Sequence, residues 1–169
     1  MTDEIVNRVK KSRTKLLDLE EVYPGGERVV FDIAPFLWEG MALKEKEFRE
    51  AVDEVNEEDY AGKFVAVHCS ADAIVPTWAF MLVAAKLGQT AKLLVYGDLE
   101  DLEKAVFEQL ISTIDFEQYE GERVIIKGCS KKPVPVNAYV TLAEKLSRCA
   151  KHIMYGEPCS TVPVFKRRR

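Results

Sequence analysis

Four cysteines carry the chemistry this sequence offers: Cys69, Cys129, Cys149 and Cys159. Three are followed directly by serine, at Cys69-Ser70, Cys129-Ser130 and Cys159-Ser160, in a chain where serine is scarce. In a reducing compartment such cysteines read as metal-binding, redox or structural rather than as a disulfide framework. Thiolates are soft ligands suited to zinc, copper(I) or iron–sulfur clusters. Zinc takes four nitrogen or sulfur ligands in structural sites, and three plus water in catalytic ones. The candidate ligands are Cys69, Cys129 and Cys159, with His68 or Asp98 completing the set. There is no C-x-x-C pair, so the site must be assembled by the fold rather than by local spacing.

A second chemistry needs no metal. A thiol near a helix N-terminus has a lowered pKa, and the run Cys69-Ser70-Ala71-Asp72-Ala73-Ile74-Val75-Pro76 leads from a strand into a helix. In outline it resembles the cysteine loop of rhodanese-type sulfurtransferases over about one βαβ unit, but lacks that loop's arginine and glycines. Cys69 is then a nucleophile for sulfur transfer, or half of a thiol redox pair. A third class is a non-catalytic interaction protein whose cysteines are structural. Whether the chain is an enzyme is left open.

The elements that position these residues follow from an internal repeat. YAGKFVAVHCS (Tyr60 to Ser70) aligns with YEGERVIIKGCS (Tyr119 to Ser130). Tyr60 and Gly62 meet Tyr119 and Gly121, 59 positions on, and one inserted residue brings Cys69 to Cys129. The offset of 59 then returns: PTWAFMLVAAKL lies over PVNAYVTLAEKL, with Phe80 on Tyr139 and Ala84 on Ala143, and AKLLVYGD lies over AKHIMYGE. Asp98 and Glu157 are repeat mates after Tyr-Gly, candidates for metal or acid–base work, with Asp98 also suited to cap the helix that follows. Cys149 and His152 match Thr90 and Leu93, far from the cysteine loops, and read as packing residues. Asp72 suits its own loop or a ligand, and Trp38 and Trp78 read as core.

Apolar β-rich runs at 63–68, 92–96, 123–127 and 152–155 predict buried strands. Helices are predicted over about 3–14, 44–55, 76–87, 100–115 and 135–147, with Pro76 and Pro135 at helix starts and Gly88 at a stop. KLLDLEEV, Tyr23-Pro24-Gly25-Gly26 and RVVFDI read as an N-terminal β-hairpin. Alternating strands and helices predict an α/β fold with a parallel sheet. If the repeats pack about a two-fold axis, the four parallel strands take the order 2-1-3-4, a doubly wound sheet. Cys69 and Cys129 would then meet at its switch point, where such folds bind ligands. One domain is expected over 1–169: helix and hairpin in 1–40, the first repeat in 41–100 and the second in 101–169.

Composition sets the outer limits. With 169 residues, 47% of them hydrophobic and 31% charged, the chain can bury a core unaided. Net charge is −4, with 24 basic and 28 acidic residues interspersed, which argues against a nucleic-acid partner; the basic end at 166–169 reads as a solvated tail. No apolar run suits a membrane span and MTDEIVNRVKKSR is no secretory signal, so a cytoplasmic protein with a metal ion as partner is expected. Homo-oligomerisation is left open. CSADAIVPTWAFMLVAAKL, GCSKKPVPVNAYVTLAEKL and YGEPCSTVPVFKR resemble an uncharacterised bacterial family, a domain of unknown function, over nearly the whole chain. That resemblance implies a bacterial cytosolic protein and no activity.

Overall fold

The structure, a computed structural model, describes residues 14–128 and 131–168. Its strands are β1 Thr14–Asp18, β2 Arg28–Asp32, β3 Phe64–His68, β4 Leu93–Tyr96, β5 Arg123–Lys127, β6 His152–Glu157 and β7 Ser160–Lys166. Its α-helices are α1 Glu45–Asp53, α2 Thr77–Leu87, α3 Leu99–Ser112 and α4 Val136–Cys149. The class is mixed α/β with mostly parallel pairing. The helix expected over 3–14 lies outside the described residues apart from Thr14, which opens β1. Among the described residues no helix is long and apolar enough to cross a membrane.

The chain divides into two compact units, one of residues 25–106 and the other of residues up to 24 with those from 107 onward. In the 25–106 unit the sheet order is β2-β3-β4, all parallel. Strand β3 is buried along Phe64 to Val67, and alternation sends its side chains to two faces. Val65 and Val67 pack with Ala79, Val83 and Leu87 of α2 and Phe48 and Val52 of α1, while Phe64 and Ala66 pack with Leu102 and Val106. Ala79, Val83 and Leu87 recur every four residues, the stripe a helix needs to lie on a sheet. Pro76 is the N-cap of α2, in extended geometry, and Gly88 is its C-cap.

The other unit follows a similar plan. Its sheet order is β1-β5-β6-β7, with only the β6–β7 pair antiparallel. Ala138, Leu142 and Leu146 of α4 occupy the positions 59 residues beyond Ala79, Val83 and Leu87. They pack with Val124 and Ile126 of β5, Ile153 of β6, and Phe107 and Ile111.

Two topological expectations are corrected. The 2-1-3-4 sheet needs β3 beside β5, but these strands stand in separate sheets. The edge each would have offered the other is taken by an N-terminal strand: β2 runs along β3 from Arg28↔Phe64 to Asp32↔His68, and β1 runs along β5 from Thr14↔Arg123 to Asp18↔Lys127. The N-terminal hairpin fails for the same reason, since β1 and β2 go to different sheets and each pairs in parallel. The turn residues still serve: Gly26 holds φ +137°, and a Cβ there would meet the Phe64 ring at 2.8 Å. Strand β7 has no counterpart among the expected elements.

Candidate functional site

The polar groups gather where parallel strands end. At the ends of β2 and β3, Asp32 and His68 are register partners. The Asp32 Oδ1 atom accepts hydrogen bonds from the Ala34 and Ser70 N–H groups, each at 2.9 Å, and Oδ2 accepts from the Ser70 hydroxyl at 2.5 Å. Burial works to raise the Asp32 pKa, but the Ser70 and Ala34 hydrogen bonds and the His68 charge outweigh it, and the carboxyl is held below its ordinary range. Asp32 and Ser70 thus form a clasp that closes the loop after β3 onto the end of β2.

The corresponding strand end in the other unit is built differently. Asp18 ends β1 opposite Lys127, whose ammonium donates to Oδ2 at 2.8 Å, while the Glu20 N–H donates to Oδ1 at 2.9 Å. Here too burial pushes the carboxyl pKa up, and the Lys127 hydrogen bond and charge with the Glu20 and Glu21 N–H groups bring it below normal. Glu20 in turn accepts the backbone N–H groups of Lys131 and Lys132. Asp98 caps α3: its Oδ1 accepts the Glu100 and Asp101 N–H groups at 2.8 and 2.9 Å. The Asp101 N–H leads the effects that hold the Asp98 pKa below normal. Of the two readings for Asp98, the structure bears out the cap.

Among the described residues no cysteine belongs to a group of three potential metal ligands. The Cys69 thiol is partly buried, donates to the Ala71 carbonyl at 3.7 Å, and packs on the cluster that holds Val67 and Val83. Cys159 is exposed in the turn between β6 and β7. Cys149 at the end of α4 donates toward the Lys145 and Leu146 carbonyls and packs on the Leu146 cluster, the packing role expected for it. His152 opens β6 opposite Arg123. Cys129 lies outside the described residues. Among the described residues no three His, Cys, Asp or Glu side chains gather where one metal ion could be held. This overturns the zinc-binding function expected of Cys69, Cys129, Cys159 and His68. The physical reason is that the nearby carboxylates are engaged by backbone N–H groups and ammonium, and the Cys69 thiol is turned to an apolar cluster.

What each unit offers instead is an apolar groove between its sheet and one helix. In the 25–106 unit the groove has a volume of about 480 Å³ and is lined by Val67, Thr77, Phe80, Met81, Leu94 and Tyr96. In the other unit it has about 390 Å³ and is lined by Ile126, Val136, Tyr139, Val140, Tyr155 and Val164. Five of these residues in one groove stand 59 positions before five in the other; Val164 comes from β7. Each groove carries the same edge-to-face ring pair, Phe80 on Tyr96 with centroids 5.0 Å apart and Tyr139 on Tyr155 at 5.5 Å. Met81 and Tyr96 stand 65% and 73% exposed, an unusual amount of large apolar side chain left in water. The sequence holds the signal, since Phe80/Tyr139 and the Tyr-Gly pairs align in the repeat, but alignment alone does not separate a surface from a core.

The chain matches, over residues 3–167, the family described as protein of unknown function (DUF2480). It belongs to that family. No curated protein and no solved structure matches it. In this DUF2480 member the two grooves differ at one structural point. Strand β6, beside the Tyr155 groove, is covered along its outer edge by antiparallel β7, from Glu157↔Ser160 to His152↔Lys166. Among the described residues, strand β4, beside the Tyr96 groove, is the last strand of its sheet.

Proposed function

We propose that this chain is a strand-accepting interaction module, which binds an extended polypeptide segment antiparallel to β4 with apolar side chains in the adjoining groove. The observation that carries the reading is the contrast between equivalent edges. At β6 an extended segment already lies on the edge, and its Val164 contributes to the groove wall. At β4 the same edge and the same kind of groove stand ready for one. Backbone pairing at an edge supplies affinity in such recognition, and pockets for alternate side chains supply selectivity. The shared helix stripe, ring pair and register support a further reading, that both units descend from one duplicated βαβ design with a strand added to each.

The test uses the chain's own precedent. A fluorescently labelled peptide of the β7 sequence, Ser160 to Lys166, is titrated with the full chain and followed by anisotropy. The expected result is a saturable rise with the wild type and affinity at least about tenfold weaker for Leu94→Pro, a difference of about 1.4 kcal/mol. Proline is tolerated on an edge strand where its missing N–H faces away from the sheet. With the chain dilute enough to be monomeric, no saturable rise, or equal binding by Leu94→Pro, would overturn the reading.

A further inference from the structure

We infer that the segment seated on β4 is β4 of a second copy of this chain, with the two strands antiparallel across a two-fold axis at Val95. The inference rests on the strand-accepting reading and names its partner. The backbone phase of β4 is fixed by its register on β3, Phe64↔Leu93 to Val67↔Tyr96, and by the Gly97 N–H, which donates to the Val67 carbonyl at 3.0 Å. Backbone groups of successive residues in a strand point to alternate sides. Leu93, Val95 and Gly97 therefore turn to β3, and Leu94 and Tyr96 turn outward. Antiparallel pairing must match outward residues with outward residues, so the axis passes through Leu94, Val95 or Tyr96.

Side chains choose among the three. An axis at Leu94 sets Lys92 against the partner's Tyr96. An axis at Tyr96 sets Leu94 against the partner's Asp98. The axis at Val95 matches Leu94 with the partner's Tyr96 twice and Val95 with itself, and sets Lys92 against the partner's Asp98 at both ends. It is the one register that pairs apolar with apolar and cation with anion. Backbone pairing ends at Leu94 and Tyr96, because the Lys92 N–H already donates to the Lys63 carbonyl at 2.8 Å; beyond them the side chains meet. Lys92 holds the Gly25 carbonyl at 3.2 Å and lies over the Phe64 ring, so its long side chain turns outward from these contacts to meet the partner's Asp98, whose cap on α3 uses only Oδ1.

The same register accounts for the groove. Opposed residues in an antiparallel pair share a face of the sheet, so the partner's Tyr96 stands beside Leu94, on the groove that Leu94 and Tyr96 already line. The exposed Tyr96 ring thereby gains an apolar wall. Strand β4, Leu-Leu-Val-Tyr, also carries none of the charges, prolines or bulges by which chains keep an open edge from pairing. Two copies so joined make one six-stranded sheet from two three-stranded ones.

Sedimentation equilibrium and oxidative cross-linking test this together. The wild type is expected at twice the 19.2 kDa chain mass, and Leu94→Pro at the chain mass. With the native cysteines replaced by serine, Val95→Cys is expected to form a disulfide-linked dimer, because the residue faces itself across a close non-hydrogen-bonded pair. Leu93→Cys faces the partner's Gly97 and is expected to stay unlinked. The cross-link carries the test should Leu94→Pro fail to fold. A monomeric wild type that still takes the Ser160–Lys166 peptide at β4 would overturn self-pairing and leave the strand-accepting reading standing. A dimer unaffected by Leu94→Pro, with no peptide bound, would overturn both. Linking by Leu93→Cys in place of Val95→Cys would overturn the register.

Discussion

Asp18 offers the sharpest test of how the strand ends are held. Its side chain is 4% exposed, and the Lys127 ammonium lies 2.8 Å away on a side chain that is 26% exposed. Asp18→Asn keeps an acceptor for the Glu20 N–H and removes the charge that faces Lys127. Breaking a buried pair by removing one partner costs about 3–5 kcal/mol. Lys127 retains contact with water, which recovers part of that, so about 2 kcal/mol is expected at neutral pH. Both tryptophans, Trp38 and Trp78, fall in the 25–106 unit and do not report on this pair. The assay is therefore native-state hydrogen exchange at the β5 amides of Val124 to Ile126, where about 2 kcal/mol corresponds to exchange roughly 30-fold faster. The pH dependence has a definite sign. The native carboxyl pKa lies below its ordinary 3.8, so the stabilisation is complete above about pH 5 and is lost as pH falls through the native value. Wild type and Asp18→Asn should converge on acidification. A difference under about threefold at neutral pH, or one unchanged by acid, would refute this account of the pair.

Three further outcomes can be checked. Ser70→Ala removes a hydroxyl donor to a charged acceptor and should lower stability by about 1 kcal/mol, read as a lower urea midpoint, with peptide affinity at β4 left unchanged. Gly156→Ala should cost about 2 kcal/mol and loosen the β6–β7 hairpin, seen as faster exchange at the β7 amides, because Gly156 holds φ +124° and a Cβ there would meet the Ser160 carbonyl oxygen at 2.6 Å. Among Cys69, Cys149 and Cys159, a thiol reagent should label Cys159 first, since it is exposed and the other two are partly buried; mass mapping of the labelled peptides reads the order.

The elements are legible in the sequence because each is written locally. The runs at 63–68, 92–96 and 123–127 become β3, β4 and β5 within a residue at either end, and the four-residue stripes of α2 and α4 follow from residue types alone. Pairing is not legible in the same way. β1 meets β5 across 109 positions, and nothing in Thr-Lys-Leu-Leu-Asp states which parallel edge it will take. The Tyr-Pro-Gly-Gly turn that suggests a hairpin is a local signal, and turn residues do not make a long-range choice of partner. Strand β7 is hidden by Pro163, which argues against a strand interior; it sits on an edge strand beside the register shift at Met154, where a missing N–H is tolerated.

A shared cysteine site requires β3 and β5 to be neighbours, so one wrong edge removes the site while leaving the sequence repeat untouched. The repeat marks something else. Residues aligned at the offset of 59, Phe80 with Tyr139 and Tyr96 with Tyr155, include some that each unit leaves substantially exposed. Burial in a core cannot account for two exposed tyrosines at one offset, nor can the strand-end clasps, which use Asp32 with a serine in one unit and Asp18 with a lysine in the other. A surface presented twice, with an antiparallel strand already on one edge, is accounted for by a partner strand on the other. The decisive feature is therefore an edge, and an edge is a property of the assembled sheet that no stretch of sequence carries by itself.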